Sequence, residues 1–92
     1  MANANINELQ RNALVFMKKG NLRKSLKTIN LAIKLDKTVA INYYIQGRLF
    51  QEMMRFESCI LAYKKYLSLD LVYKRQSIQY FYQLVQRKNA NS

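Results

Sequence analysis

Side chains able to do acid–base or metal chemistry are scarce in this sequence. The chain has 92 residues and no histidine, so the commonest general base and the commonest metal ligand are both missing. Its five acids, Glu8, Asp36, Glu52, Glu57 and Asp70, are scattered along the chain. Its two glycines, Gly20 and Gly47, build no phosphate-cradling loop. The one cysteine, Cys59, allows no internal disulfide and reads as a small buried hydrophobe more readily than as a nucleophile. A non-enzymatic protein without metal or cofactor is expected. Cation and aromatic surface are what the chain has in quantity. Sixteen Lys and Arg against five acids give a net charge of +11, which draws a protein toward anionic partners. Five of these cations, Lys18, Lys19, Arg23, Lys24 and Lys27, fall within ten residues and form a candidate anion-binding cluster. No aromatics interleave with them and no nucleic-acid motif surrounds them. The plainer reading is a solvated helix face. RNA or an anionic membrane surface is the alternative. Seven tyrosines offer large contact area at low entropic cost. Tyr44, Tyr73 and Tyr82 are the candidates for interface use.

The elements that position these groups read as helices. There is no proline and there are only two glycines, and this near absence of turn punctuation favours long helices over hairpins. In the first helix, about 6–19, Ile6, Leu9, Ala13, Phe16 and Met17 recur at three- and four-residue steps. Gly20-Asn21 ends it, because both residues tolerate the left-handed conformation. The second helix, about 22–35, carries Leu22, Ser25, Leu26, Ile29, Ala32, Ile33 and Leu35 as its buried side. Thr38 is the expected N-cap of a third helix at about 39–54. A fourth, about 56–69, sets Ile60, Tyr63, Leu67 and Leu69 on its apolar face. A fifth runs over about 72–88. Short connections make consecutive helices antiparallel. No apolar run approaches the roughly 20 residues of a membrane helix, and Met1 to Leu9 lacks the pattern of a signal peptide. A single cytoplasmic domain over 1–92 is expected.

Like falls on like when the sequence is shifted by 34 residues. Ala13 meets Gly47, Phe16 meets Phe50, Ser25 meets Cys59, Ile29 meets Tyr63, Leu35 meets Leu69 and Asp36 meets Asp70. A helix-turn-helix period of 34 resembles the tetratricopeptide repeat family. The resemblance covers roughly 6–84. A small residue on the first helix of each pair, a bulky aromatic three later and a small residue early in the second helix all match. Departures are Leu9 and Tyr43 at the tryptophan-like site, Asn12 and Gln46 at the following leucine site, Lys37 and Leu71 at the closing proline, and Tyr66 where Ala32 stands in the first repeat. The resemblance implies an all-α, antiparallel helix-turn-helix solenoid of about two and a half repeats. Repeat 1 covers about 6–37, repeat 2 about 39–71, and the fifth helix stands as a cap or as an apolar strip covered by another chain.

The resemblance also implies where a partner would sit: a concave groove lined by the first helix of each pair. Off the core-facing stripe, helix one presents Asn7, Gln10, Leu14, Met17 and Lys18. Helix three presents Ile41, Tyr44, Arg48 and Gln51, and helix five presents Arg75, Ile78, Tyr82 and Val85. A lining of this kind suits the apolar face of a partner's helix or peptide. The carboxylate clamp of some tetratricopeptide adaptors is not present as a set, since its sites carry Gln10, Leu14, Tyr44 and Arg48. In size and repeat count the chain looks like the small type III secretion chaperones that pair with a second small helical protein and keep a needle subunit monomeric. That likeness implies a hetero-oligomer holding a secreted subunit. RNA or membrane binding and self-association are the alternatives.

Overall fold

The computed structural model describes residues 5–70. Within them the chain is all-helical, with four helices and no strand: α1 (Ile6–Lys18), α2 (Leu22–Leu35), α3 (Ala40–Glu52) and α4 (Phe56–Leu69). Both bounds of α3 fall 34 residues after those of α1, and both bounds of α4 fall 34 after those of α2. The fifth helix expected over 72–88 lies outside the described residues.

The two tight turns show why the helices stop where they do. Gly20 takes the left-handed conformation (φ 82°). The Gly20 N–H donates to the Met17 carbonyl (3.0 Å) and the Asn21 N–H to that of Phe16 (2.9 Å), so two carbonyls at the end of α1 gain partners. The same pair of bonds recurs 34 residues on. Met54 N–H donates to Gln51 (3.0 Å) and Arg55 N–H to Phe50 (2.8 Å), and Met54 is also left-handed (φ 61°). Asn5 and Asn21 cap α1 and α2: their Oδ1 atoms accept from the Asn7 and Lys24 amides at 2.8 and 3.2 Å. The cap expected at Thr38 is not there. Val39 is the N-cap of α3 and makes no side-chain cap bond. Thr38 turns back instead, and its N–H and hydroxyl both donate to Asp36 Oδ1 (2.9 and 2.6 Å). A carboxylate two residues upstream out-competes the helix end for the threonine.

Helix packing joins α1 to α2, α3 to α4, and α3 to both members of the first pair. Ala13, Ile29, Ala32, Ile45 and Leu49 form the buried centre, with Ile6, Leu9, Met17, Leu22 and Leu26 against it. Each large side chain buried there contributes about 1.5–3 kcal/mol. Small residues set the spacing of each pair. Ser25 is fully buried on α2, and its hydroxyl donates to the Ala13 carbonyl on α1 at 2.5 Å. Cys59 is buried at the equivalent place on α4. Three residues expected on buried faces are exposed: Leu35 (56%), Ile60 (54%) and Leu67 (37%). Leu35 stands at the last position of α2, beyond the packed centre. In α4 the buried residues are Cys59 and Ala62, so the helix turns Ile60 and Leu67 away from α3.

Candidate functional site

A cavity of about 490 Å³ opens between α1 and α3. Leu14, Met17 and Lys18 line it from α1, and Tyr44, Ile45, Arg48 and Glu52 from α3, with Gly20 and Leu22 at the turn between α1 and α2. Leu14 and Tyr44 keep 47% and 37% of their surface in solvent. The wall is therefore apolar surface that the fold leaves open, with charged groups on both sides. Lys18 and Arg48 supply the cations and Glu52 the one carboxylate.

The second pair of helices holds Tyr44 in place. Its ring packs against Tyr63 (centroids 5.8 Å apart, planes at 38°) and Tyr66 (5.3 Å, 55°) on α4. Tilted contacts at this range are favourable for aromatic rings. The Tyr63 hydroxyl donates to Gln51 Oε1 at 3.2 Å. Burial pushes the Tyr63 phenol above its ordinary pKa, Cys59 and Tyr44 add to the rise, and Arg48 opposes it. The phenol stays protonated and available as a donor at neutral pH. Tyr66 is the residue that departs from the small side chain of Ala32 in the first repeat. Here its bulk meets Tyr44.

The sequence-predicted lining divides in three. Leu14, Met17, Tyr44 and Arg48 come together around the cavity. Gln10, Ile41 and Gln51 do not line it. Gln10 Nε2 donates to Oδ1 of the buried Asn42 at 2.6 Å, Gln51 accepts from Tyr63, and Ile41 stands exposed in the first turn of α3. Arg75, Ile78, Tyr82 and Val85 lie outside the described residues, as do Tyr73 and the rest of the fifth helix. The basic cluster is also split. Lys18 belongs to the cavity wall. Lys24 Nζ sits 4.8 Å from the centre of the Phe16 ring, a cation–π contact. Lys19, Arg23 and Lys27 are exposed.

Sequence reasoning missed Ile45 and Glu52 as lining residues. Glu52 stands 34 after Lys18, itself off the core stripe, and that spacing was the available signal. Ile45 is nearly fully buried and touches the cavity from the core side. Elsewhere, Asn42 is fully buried with Nδ2 unpartnered. Among the described residues no group of three or more His, Cys, Asp or Glu is placed to hold a metal ion. No described helix is long and apolar enough to cross a membrane. Comparisons of the chain with protein-family models, with curated proteins and with solved structures give no match.

Proposed function

We propose that this chain is a non-enzymatic binding module whose α1–α3 groove holds the apolar face of a partner protein's helix or extended segment. One observation carries the reading: Leu14 and Tyr44, both exposed, converge on an open cavity of about 490 Å³ together with Met17, which also packs against the core. Lys18 and Arg48 on the wall favour acidic groups beside the apolar anchors of the partner. The shared 34-residue offset of helices and turns supports a tetratricopeptide-like plan. On that plan the partner lies across the first helices of successive pairs. A small chaperone of the type III needle-subunit class is the form of this function that the likeness in size and repeat count favours. A groove that buries a self-sticking helix competes with that helix's own assembly.

The test is capture from native lysate in parallel on the parent chain and on Tyr44→Ala. A protein retained at one-to-one stoichiometry by the parent, at high salt, is expected to be lost from Tyr44→Ala while its helical circular dichroism is unchanged. Recovery of nucleic acid alone, or retention that survives the substitution, overturns the reading.

A further inference from the structure

α3 lines a recess on each of two opposite sides. Tyr44, Ile45, Arg48 and Glu52 line the cavity shared with α1. Tyr43, Gln46 and Phe50 floor a second recess of about 250 Å³. At about 3.6 residues per turn the two sets lie roughly 180° apart around the helix. Two helices flank the second recess. α2 and α4 each pack on α3 but make no contact with one another, so the back of α3 is left as the floor of a trough between them. Gln46 Nε2 donates to Asn30 Oδ1 on α2 at 3.0 Å, which ties α2 to the floor as one wall. Leu61 and Lys65 of α4 belong to the other. Leu61 keeps 68% of its surface in solvent, whereas Tyr43 keeps 8%.

Cations stand at the four corners of this trough. At the Tyr43 end, Lys65 Nζ is 6.0 Å from the centre of the Tyr43 ring. At the Phe50 end, the Arg55 guanidinium is 5.4 Å from the centre of the Phe50 ring. On α2, Lys34 and Lys27 lie one turn to either side of Asn30 and share its stripe, and both are exposed. Since α2 runs antiparallel to α3, Lys34 belongs to the Tyr43 end and Lys27 to the Phe50 end. No carboxylate lines the recess. α2 contains no acid, and Glu57, the one acid of α4, is outside the lining. Asp36 is felt at the Tyr43 end, where burial and then its charge raise the phenol pKa. The N–H and hydroxyl of Thr38 already engage it.

Nucleic acid and acidic protein could both meet such a charge, and the trough favours protein. The buried Tyr43 ring and the Phe50 ring under Arg55 offer no free face for a base to stack on. Leu61 gains nothing from a phosphate but is stabilised by covering with an apolar side chain. A helix with an apolar stripe and acids along both edges matches an apolar floor with cations on both walls. We infer that the α2–α4 trough is a second docking surface, whose occupant is an acidic amphipathic helix of a partner protein. Its apolar stripe lies on Phe50 and Leu61. Its acids meet Lys27 and Lys34 on one edge and Arg55 and Lys65 on the other. This surface is independent of the α1–α3 groove. The two lie on opposite sides of α3, so one chain can hold a segment on each.

Peptide binding to the full-length chain, read by fluorescence anisotropy, tests this. The probe is a labelled peptide of about 18 residues, about 27 Å as a helix, with one leucine stripe edged by glutamates. It is measured in a Leu14→Asp background, which puts a carboxylate into the α1–α3 cavity. Binding is expected to persist there and to weaken at least about tenfold on adding Leu61→Asp. Adding Val15→Asp, the same charge change on exposed surface of α1, is expected to cost less than about twofold. Lys34→Gln with Lys65→Gln gives a second reading that leaves the apolar surface intact. It is expected to weaken binding about tenfold, and Lys18→Gln with Lys19→Gln less than about twofold. Equal losses within either pair of variants would mean attraction to net charge alone and overturn the inference. So would a peptide with glutamine for glutamate that binds as tightly. Loss of all binding in Leu14→Asp alone would confine docking to the α1–α3 groove, overturning this inference while upholding that groove. Displacement of the peptide by oligouridine at equal concentration would make nucleic acid the occupant. A dimer of the parent chain that Leu61→Asp dissociates, seen by light scattering, would make it a second copy. Either result overturns the inference.

Discussion

A Cβ built on Gly47 would stand 2.5 and 2.6 Å from two ring carbons of Tyr63. Thirty-four residues earlier the corresponding pair is Ala13 and Ile29, both fully buried, and there a Cβ is accommodated because an aliphatic side chain replaces the ring. Alanine in a helix interior ordinarily gains about 0.5–1 kcal/mol over glycine. At Gly47 that gain is opposed by overpacking of about 1–3 kcal/mol, since the ring is held by its bond to Gln51 and by Tyr44. Gly47→Ala is therefore expected to destabilise, and Gly47→Ala with Tyr63→Ile, which recreates the first-repeat pair, to recover the loss. Urea unfolding of the four chains of this double-mutant cycle measures the coupling; additivity would show the contact is not tight. Asp36 makes a second case at this scale. The hydroxyl and then the N–H of Thr38 hold its carboxyl below the ordinary aspartate range. A lowered folded pKa stabilises at neutral pH and is lost as pH falls through the folded value. Thr38→Val removes the larger cause, so its deficit in urea midpoint should be present at neutral pH and vanish in strong acid. A deficit that persists unchanged would assign it to packing.

Each turn between paired helices ends in the same bonds, yet only one is built on glycine. Met54 takes φ 61°, where an L-residue's Cβ crowds the following carbonyl at about 1–2 kcal/mol. It is 72% exposed, so little packing is lost on truncation. Met54→Gly is expected to stabilise by about 1 kcal/mol, read as a rise in thermal midpoint, whereas Gly20→Ala should lower it; no gain from Met54→Gly would mean the strain is relaxed elsewhere. These turns also show what was legible in the sequence. Helix ends near Gly20-Asn21 and Asp36 were readable from residue type, and the second pair followed by the period even where Met54-Arg55 carry no such signal. Spacing put Leu14 and Met17, and Tyr44 and Arg48, off the core stripe of their own helices, and the tetratricopeptide resemblance implied that the two helices share one open face. Gln10, Gln51 and Thr38 could not, because a polar side chain swings toward whichever partner the neighbouring backbone brings near. The exposure of Ile60 and Leu67 on α4 was not legible for a different reason. Periodicity states that Ile60, Tyr63 and Leu67 share a face, but burial depends on what lies against that face.

Charge acts on the molecule as a whole. With a net charge of +11 on 92 residues, the folded state carries self-repulsion that the expanded chain relieves. Screening shortens from about 30 Å at 0.01 M salt to about 3 Å at 1 M, so the thermal midpoint of the free chain should rise with sodium chloride. A fall would mean that attractive ion pairs outweigh the repulsion. The same titration separates the binding readings, because each gives salt its own effect. Apolar burial of Leu14, Met17 and Tyr44 is nearly indifferent to salt, and the contacts of Lys18 and Arg48 with acidic groups weaken only modestly. Phosphate contacts by Lys19, Arg23 and Lys27 would lose affinity along a steep log–log line, with a slope of about −0.7 per contact for a single strand. A chain that grows more stable in salt while holding its partner nearly as tightly is using the groove. One that grows more stable while its complex falls apart in proportion to the cations engaged is using its charge.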